Sequence, residues 1–315
     1  MRQILIILIL AVTSQQINAQ SASKFKKLLK KSVKEIQKSE GEKTVSAYVF
    51  KEYFTAIPED ILKELPNYEA DSLTNVRRLV YELYYQVSRK SDNAQIRQKG
   101  VLHLVKACKD TKLDLRDGSA KKLKYYNKQD FSEEAKTQLI TYLSENKDIY
   151  KNTVRLIGFL DMNEQVSKLN DLLNDTTVKN ESIRWEVRVT LARLGDEEQI
   201  SYCTNLARSK GVNDRIIHYL LKDLIYTRQK PAFDYLLDIL YSEAKNCRPA
   251  NPDLYTPIVC GYRIMEILAP AIKDFPFETY PGTSQLKAKD YDKALEDVRQ
   301  WFRDNTDYKI KKDNY

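Results

Sequence analysis

Val76, Leu79, Val80, Leu83, Tyr84 and Val87 fall at i, i+3, i+4, i+7, i+8 and i+11, the spacing of one face of an α-helix. Ile96, Val101, Leu104, Val105 and Cys108 outline a second face. Val166, Leu169, Leu172 and Leu173 form another, as do Ile183, Val187, Leu191 and Leu194, and then Ile200, Cys203, Leu206 and Ala207. Ile217, Leu220, Leu221 and Leu224, followed by Phe233, Leu236, Leu237 and Leu240, extend the series. No run of alternating apolar and polar residues is long enough to predict a strand. The helix breakers agree: 164 residues between Pro66 and Pro231 lack proline, six of the nine prolines lie from Pro249 onward, and the chain holds eight glycines. The pattern predicts an all-α protein of helices joined by short turns.

The helices also recur at a fixed interval. Leu160, Gln165, Val166, Leu169 and Leu172 align with Leu194, Gln199, Ile200, Cys203 and Leu206 at a constant offset of 34. Phe233, Leu236 and Ile239 lie 33 residues beyond Ile200, Cys203 and Leu206. A period in this range with two helices per unit predicts an α-solenoid of stacked antiparallel helix pairs. The expected organisation is a leader over 1–19, a Lys-rich amphipathic helix over 20–43, helical repeats over 44–245, and a less regular, proline-containing helical cap over 246–315.

The segment from Ile183 to Asp196, IRWEVRVTLARLGD, resembles the second helix and following turn of a HEAT repeat. That family commonly opens this helix with an aliphatic-Arg pair and ends it with Leu-Gly-Asp, here Leu194-Gly195-Asp196. The aliphatic-Arg pair recurs as Val76-Arg77, Ile96-Arg97 and Val154-Arg155. Trp185 and Thr190 are bulkier than the family's small positions, and residues 110–130 interrupt the regularity. The armadillo/HEAT-type resemblance implies a curved stack whose concave face holds a protein or peptide partner. It implies no enzyme, since fold alone does not set function.

The N-terminus changes where such a protein is expected to work. Arg2, the nine apolar residues Ile4–Val12, and a polar stretch leading to Ala19 follow the order of a secretory signal peptide. Nine residues are too few to span a bilayer, which takes about 20. The expectation is export, to the periplasm or outside the cell, with cleavage near Ala19-Gln20 leaving a soluble protein. Charge then acquires a location. The formal net charge is +8, yet Gln20–Lys43 alone holds eight Lys against three Glu. The body is nearly neutral, so nucleic acid is not an expected partner. Lys24, Lys26, Lys27, Lys30, Lys31 and Lys34 surround an apolar face of Phe25, Leu28, Leu29, Val33 and Ile36. Such a helix either caps the solenoid or contacts an anionic membrane or polysaccharide surface.

Candidate chemistry is sparse. P-loop, G-x-G-x-x-G, G-x-S-x-G, H-E-x-x-H and C-x-x-C motifs are all missing from the sequence, so no cofactor, metal site or catalytic set is predicted. The two histidines, His103 and His218, are read as helix-surface or helix-interface residues; either one in a deep cleft beside an acid or a Cys would revive an enzyme reading. Glu133-Glu134 and Glu197-Glu198 suit first helical turns, and Asp130 with Glu133 has capping-box spacing. Among four cysteines, Cys247 and Cys260 flank a proline-rich connection and are the candidate disulfide, with four unpaired thiols as the alternative. Cys108 and Cys203 sit on apolar faces.

Lys121, Lys122, Lys124, Tyr125 and Tyr126 are read as a solvated inter-helix loop with its tyrosines packed back, or as a ligand-contacting loop. Tyrosine is abundant, 21 against 9 Phe; Tyr81, Tyr84, Tyr85, Tyr142, Tyr150, Tyr219 and Tyr226 all fall on predicted helices. Asn174 and Asn180 are sequons, meaningful only in a eukaryotic secretory route. The resulting expectation is an exported, non-catalytic helical-repeat scaffold for a protein or peptide. The alternatives are a cell-envelope adaptor using the Lys-rich helix and a helical-repeat hydrolase or lyase using tyrosines and carboxylates.

Overall fold

The computed structural model describes residues 2–145, 151–249, 251, 253, 255–281, 283–313 and 315, without the side chains of 2–17, 144, 145 and 151. Tyr150 and the side chains of the leader's apolar run therefore lie outside the described residues. Helix accounts for 66% of the chain, with no strand among the described residues. No helix of the described residues is long and apolar enough to cross a membrane. The chain divides into two compact units, Met1–Asn146 and Lys147–Tyr315.

The first unit holds α1 (Arg2–Lys38), α2 (Pro58–Glu64), α3 (Thr74–Arg89), α4 (Ala94–Ala107), α5 (Leu113–Leu123) and α6 (Glu133–Glu145). Phe25, Leu29, Val33 and Ile36 of α1 are buried, and Phe25 meets Phe50 and Tyr53 edge-on at 5.5 and 5.7 Å. All six periodic residues of α3 are buried, as are Ile96, Val101, Leu104 and Val105 of α4. Asn93 opens α4, its side chain accepting the Gln95 amide at 2.8 Å. Gly100 permits the close approach of α3, since a Cβ there would fall 2.1 Å from Ser88 Oγ.

Asp130 corrects one expectation. It closes a capping box with Asn127 on a short 3₁₀ turn, Lys128–Asp130, and leaves the start of α6 to Ser132, whose hydroxyl accepts the Ala135 amide at 3.3 Å. Its other oxygen is taken by Arg97 at 2.8 Å, so the carboxylate is buried by pairing rather than spent on the next helix.

The second unit comprises α7 (Lys151–Phe159), α8 (Val166–Asn174), α9 (Glu181–Arg193), α10 (Glu197–Ser209), α11 (Asp214–Ile216), α12 (Lys222–Thr227), α13 (Lys230–Tyr241), α14 (Gly261–Leu268) and α15 (Tyr291–Asp304). Helices α7, α8, α10 and α12 all pack against α9. Accordingly α9 is buried nearly all round, from Glu186 and Val187 to Ala192 and Arg193. The tripeptide Leu194-Gly195-Asp196 does two jobs. Gly195 takes φ 96°, its amide donates to Ala192 O and that of Asp196 to Leu191 O, both at 3.1 Å, which is a Schellman stop. Asp196 then caps α10 through the Gln199 amide at 3.0 Å. Beyond α13 the chain forms isolated antiparallel bridges, Cys247 with Ile258, Ile272 with Ile310 and Thr279 with Leu286, around a core that includes Ile264, Met265, Leu268, Leu295, Val298 and Phe302.

Candidate functional site

Four segments of the second unit surround a cleft of about 670 Å³. Helix α14 supplies Tyr262, Arg263 and Glu266, with Tyr262 and Glu266 at i and i+4 on one face. The first turn of α15 adds Tyr291 and Asp292, the connection before it adds Thr283, Ser284 and Gln285, and the arch between Cys247 and Cys260 adds Pro249 and Ile258. That arch is closed by a disulfide, Cα atoms 5.1 Å apart. A second hollow of about 310 Å³ shares Arg263, Glu266 and Ser284 and extends to Asp214, Ile217, His218 and Lys222. Its wall is a π turn, Ile217–Leu221, between α11 and α12. Such one-residue insertions gather at functional sites because they re-aim the side chains that follow. Here Ile217 and Leu221 stay buried, while His218 and Tyr219 are exposed.

The polar groups of the cleft are already partnered. The Tyr262 hydroxyl donates to Asp292, and that hydrogen bond, reinforced by burial, pushes the phenol up to about 12. The Tyr291 hydroxyl donates to Glu266 Oε1 at 3.0 Å and accepts the Leu286 amide at 3.1 Å; burial, then the nearby Glu266 carboxylate, raises this phenol too. Arg263 lies 3.6 Å from Glu266 and 3.5 Å from Asp214, and Asp214 also accepts the Arg248 amide at 2.7 Å. Three carboxylates thus face two cations, Arg263 and Lys222, across apolar and aromatic walls. The arrangement offers aromatic faces, phenols whose protons are already donated to carboxylates, and a slight negative bias.

Comparison with protein-family models, curated proteins and solved structures finds no match to the chain.

A further cleft, about 490 Å³, lies in the first unit and contains His103. Nδ1 of His103 is 2.6 Å from Glu69 Oε1, off the line of a well-formed hydrogen bond, and the imidazole stacks on Tyr84 at 4.4 Å and 6°. Burial pushes the Glu69 carboxyl up, but His103 and Tyr84 outweigh it and hold the group below its usual range. Both histidines line hollows with carboxylates, His103 at the interface of α3 and α4 and His218 on an exposed helical surface. Neither is hydrogen-bonded to a hydroxyl or thiol among the described residues. Burial drives the thiols of Cys108 and Cys203 up to about 12, which removes them as nucleophiles near neutral pH.

The other sequence-derived candidates are scattered. Lys24, Lys26, Lys27, Lys30, Lys31 and Lys34 are all exposed along α1, with Lys26 paired to Glu64 at 2.8 Å. Lys121 and Lys122 occupy the last turn of α5 and Lys124 caps it, so this stretch is helix end rather than loop. Tyr125 is exposed, whereas Tyr126 is buried with its hydroxyl 2.6 Å from Ser88 Oγ. Tyr81, Tyr84, Tyr142 and Tyr226 are buried, Tyr85 is half-buried and Tyr219 is exposed. Asn174 ends α8, and Asn180 caps α9 by accepting the Ser182 amide at 3.0 Å. None of these lines the cleft of the second unit. Its own residues lie where the helical period lapses; the one legible sign was Tyr262 and Glu266 at helical spacing beside a cysteine.

Proposed function

We propose that the chain is an exported, non-catalytic binding module of HEAT-like helix pairs that holds a peptide segment of a partner protein in the cleft of its second unit. The observation that carries this reading is the cleft itself, about 670 Å³ with apolar and aromatic walls, a few fixed polar groups and a disulfide-closed rim. A carboxylate partner raises Tyr262, the opposite of what a tyrosine base needs, which favours binding over chemistry. The HEAT-like reading draws support from Arg77, Arg97 and Arg155, which reach carboxylates 31 to 33 positions further on. A photo-crosslinking residue at Thr283 should give a discrete adduct with a partner in the native envelope or secreted fraction. The adduct should be missing from a control at exposed Glu296 and lost with Ile258→Asp. No adduct at 283, or equal adducts at both positions, overturns the proposal.

Two competing readings rest on specific observations. The exposed lysines of α1 favour contact with an anionic membrane or polysaccharide, but the buried apolar face restricts that contact to electrostatics. Binding to anionic vesicles that fades with salt and is lost on deleting residues 20–43 would favour this adaptor. The His103–Glu69 pair favours a hydrolase, for which His103→Ala should abolish a measurable hydrolytic activity.

A further inference from the structure

After α15, residues 305–313 and Tyr315 run back across the second unit without helix. The Lys273 amide donates to Lys309 O and the Lys311 amide to Ala271 O, both at 2.8 Å, bracketing the Ile272–Ile310 bridge. Further on, Arg193 Nη2 donates to Lys312 O at 3.3 Å and Arg228 Nη2 to Tyr315 O at 3.4 Å. The Tyr315 ring meets Phe159 at 5.7 Å and Tyr226 at 5.5 Å between centroids. The guanidinium groups of Arg155 and Arg193 lie over the Tyr226 ring at 5.1 and 4.5 Å.

Three observations set this socket apart from ordinary core packing. Lys309, Lys311, Lys312 and Asp313 are exposed, so the described residues past the Ile310 bridge are held by main-chain contacts and one ring. Arg193 and Arg228 are 7% and 5% exposed, and each directs an Nη group at a main-chain oxygen of this segment. Donors directed at main-chain oxygens are satisfied by any extended peptide. Arg228 holds a left-handed backbone, φ 56°, at the C-cap of α12, where the chain turns out of the helix beside this segment.

We infer that Phe159, Tyr226, Arg155, Arg193 and Arg228 form a binding site for an extended peptide bearing a tyrosine, occupied at rest by Tyr315 of the same chain. The aromatic pair takes the ring, Arg193 and Arg228 take the flanking main-chain oxygens, and Arg155, paired with Glu186 and Asp223, backs the Tyr226 ring. A partner presenting such a segment competes with residues 312–315 for the site. The site shares no residue with the cleft described above and does not depend on its function.

The test uses the chain truncated after Lys311, the intact chain, and an acetylated, fluorescent peptide of the sequence 311–315. Fluorescence anisotropy should show the peptide binding the truncated chain at least tenfold more tightly than the intact one, and the same peptide with Tyr315→Ala should lose that binding. Equal affinity for both chains, or no binding to a truncated chain that keeps its circular dichroism spectrum, overturns the proposal. A truncated chain that loses its native spectrum also overturns it, since Tyr315 would then be a core residue. In the intact chain, amide hydrogen exchange over 309–315 should run at least a hundredfold faster than over α9; protection equal to that of α9 contradicts a displaceable segment.

Discussion

Arg77 and Asp110, 33 positions apart, form a two-pronged ion pair in which Nε donates to Oδ2 at 2.6 Å and Nη2 to Oδ1 at 3.0 Å. Both side chains are buried, and Asp110 also accepts the Tyr81 hydroxyl at 2.9 Å and the Lys112 amide at 2.8 Å. The pair joins the start of α3 to the turn before α5, so it fixes one helix against the connection that follows the next.

Removing one partner strands a buried charge. Asp110→Ala should destabilise the first unit by about 3–5 kcal/mol, whereas the double replacement Arg77→Met with Asp110→Leu should cost clearly less. Urea unfolding of the three variants measures the difference. The same pair sets an acid limit. Burial pushes the Asp110 carboxyl up, but Arg77, the Lys112 amide and Tyr81 pull it below its ordinary value. Its stabilisation is therefore present above the unfolded value of about 3.9 and is lost as pH falls through the lower folded one. Asp110→Asn should flatten the fall in stability below about pH 4; an unchanged slope would remove Asp110 from that role.

Gly100→Ala should be destabilising although alanine is the better helix former. Propensity favours Ala by roughly 1 kcal/mol. Against it, the new Cβ would lie 2.1 Å from Ser88 Oγ and 2.2 Å from its Cβ. Overpacking of this severity costs on the order of 2–3 kcal/mol, so α3 and α4 are pushed apart. Ser88→Gly in the same chain should recover part of the loss. A thermal melt of the pair decides it: no recovery means that the clash is elsewhere.

Opening the Cys247–Cys260 bridge should lower stability by about 3 kcal/mol, the loop-closure value for a bridge of this span; the two cysteines are 13 positions apart. The loss should fall on the second unit and loosen the wall formed by Pro249 and Ile258. Melts with and without reductant, beside the Cys247→Ser variant, test this. Iodoacetamide at pH 8 should meanwhile leave Cys108 and Cys203 unmodified in the native protein, because burial holds both thiols near 12. Rapid labelling of either without unfolding would contradict that.

Asp292→Asn should lower the ionisation of the Tyr262 phenol from about 12 toward the ordinary tyrosine value. Ultraviolet difference titration of the variant against wild type isolates this one phenol among 21 tyrosines. Identical curves would mean that Tyr262 does not depend on Asp292.

The helices were legible because burial and periodicity coincide: Val76, Leu79, Val80, Leu83, Tyr84 and Val87 are all buried. The turn at Leu194-Gly195-Asp196 was readable for the same local reason, a positive φ at glycine followed by a capping aspartate. The cleft was not. Tyr262 meets Asp292 across 30 positions and Tyr291 meets Glu266 across 25, in a stretch where no period predicts which segments become neighbours. Asp130 was misassigned because capping-box spacing is a local signal, while its real partner, Arg97, lies 33 positions back.

The span of these contacts also sets what each costs to close. Arg77, Arg97 and Arg155 find carboxylates within 33 positions, so those links need only a short stretch of chain and close at small entropic cost. Arg193 with Lys312 spans 119 positions and Arg228 with Tyr315 spans 87. Helix pairing in the second unit therefore closes shorter loops than the seating of Tyr315 does, so closure entropy weighs most on Tyr315.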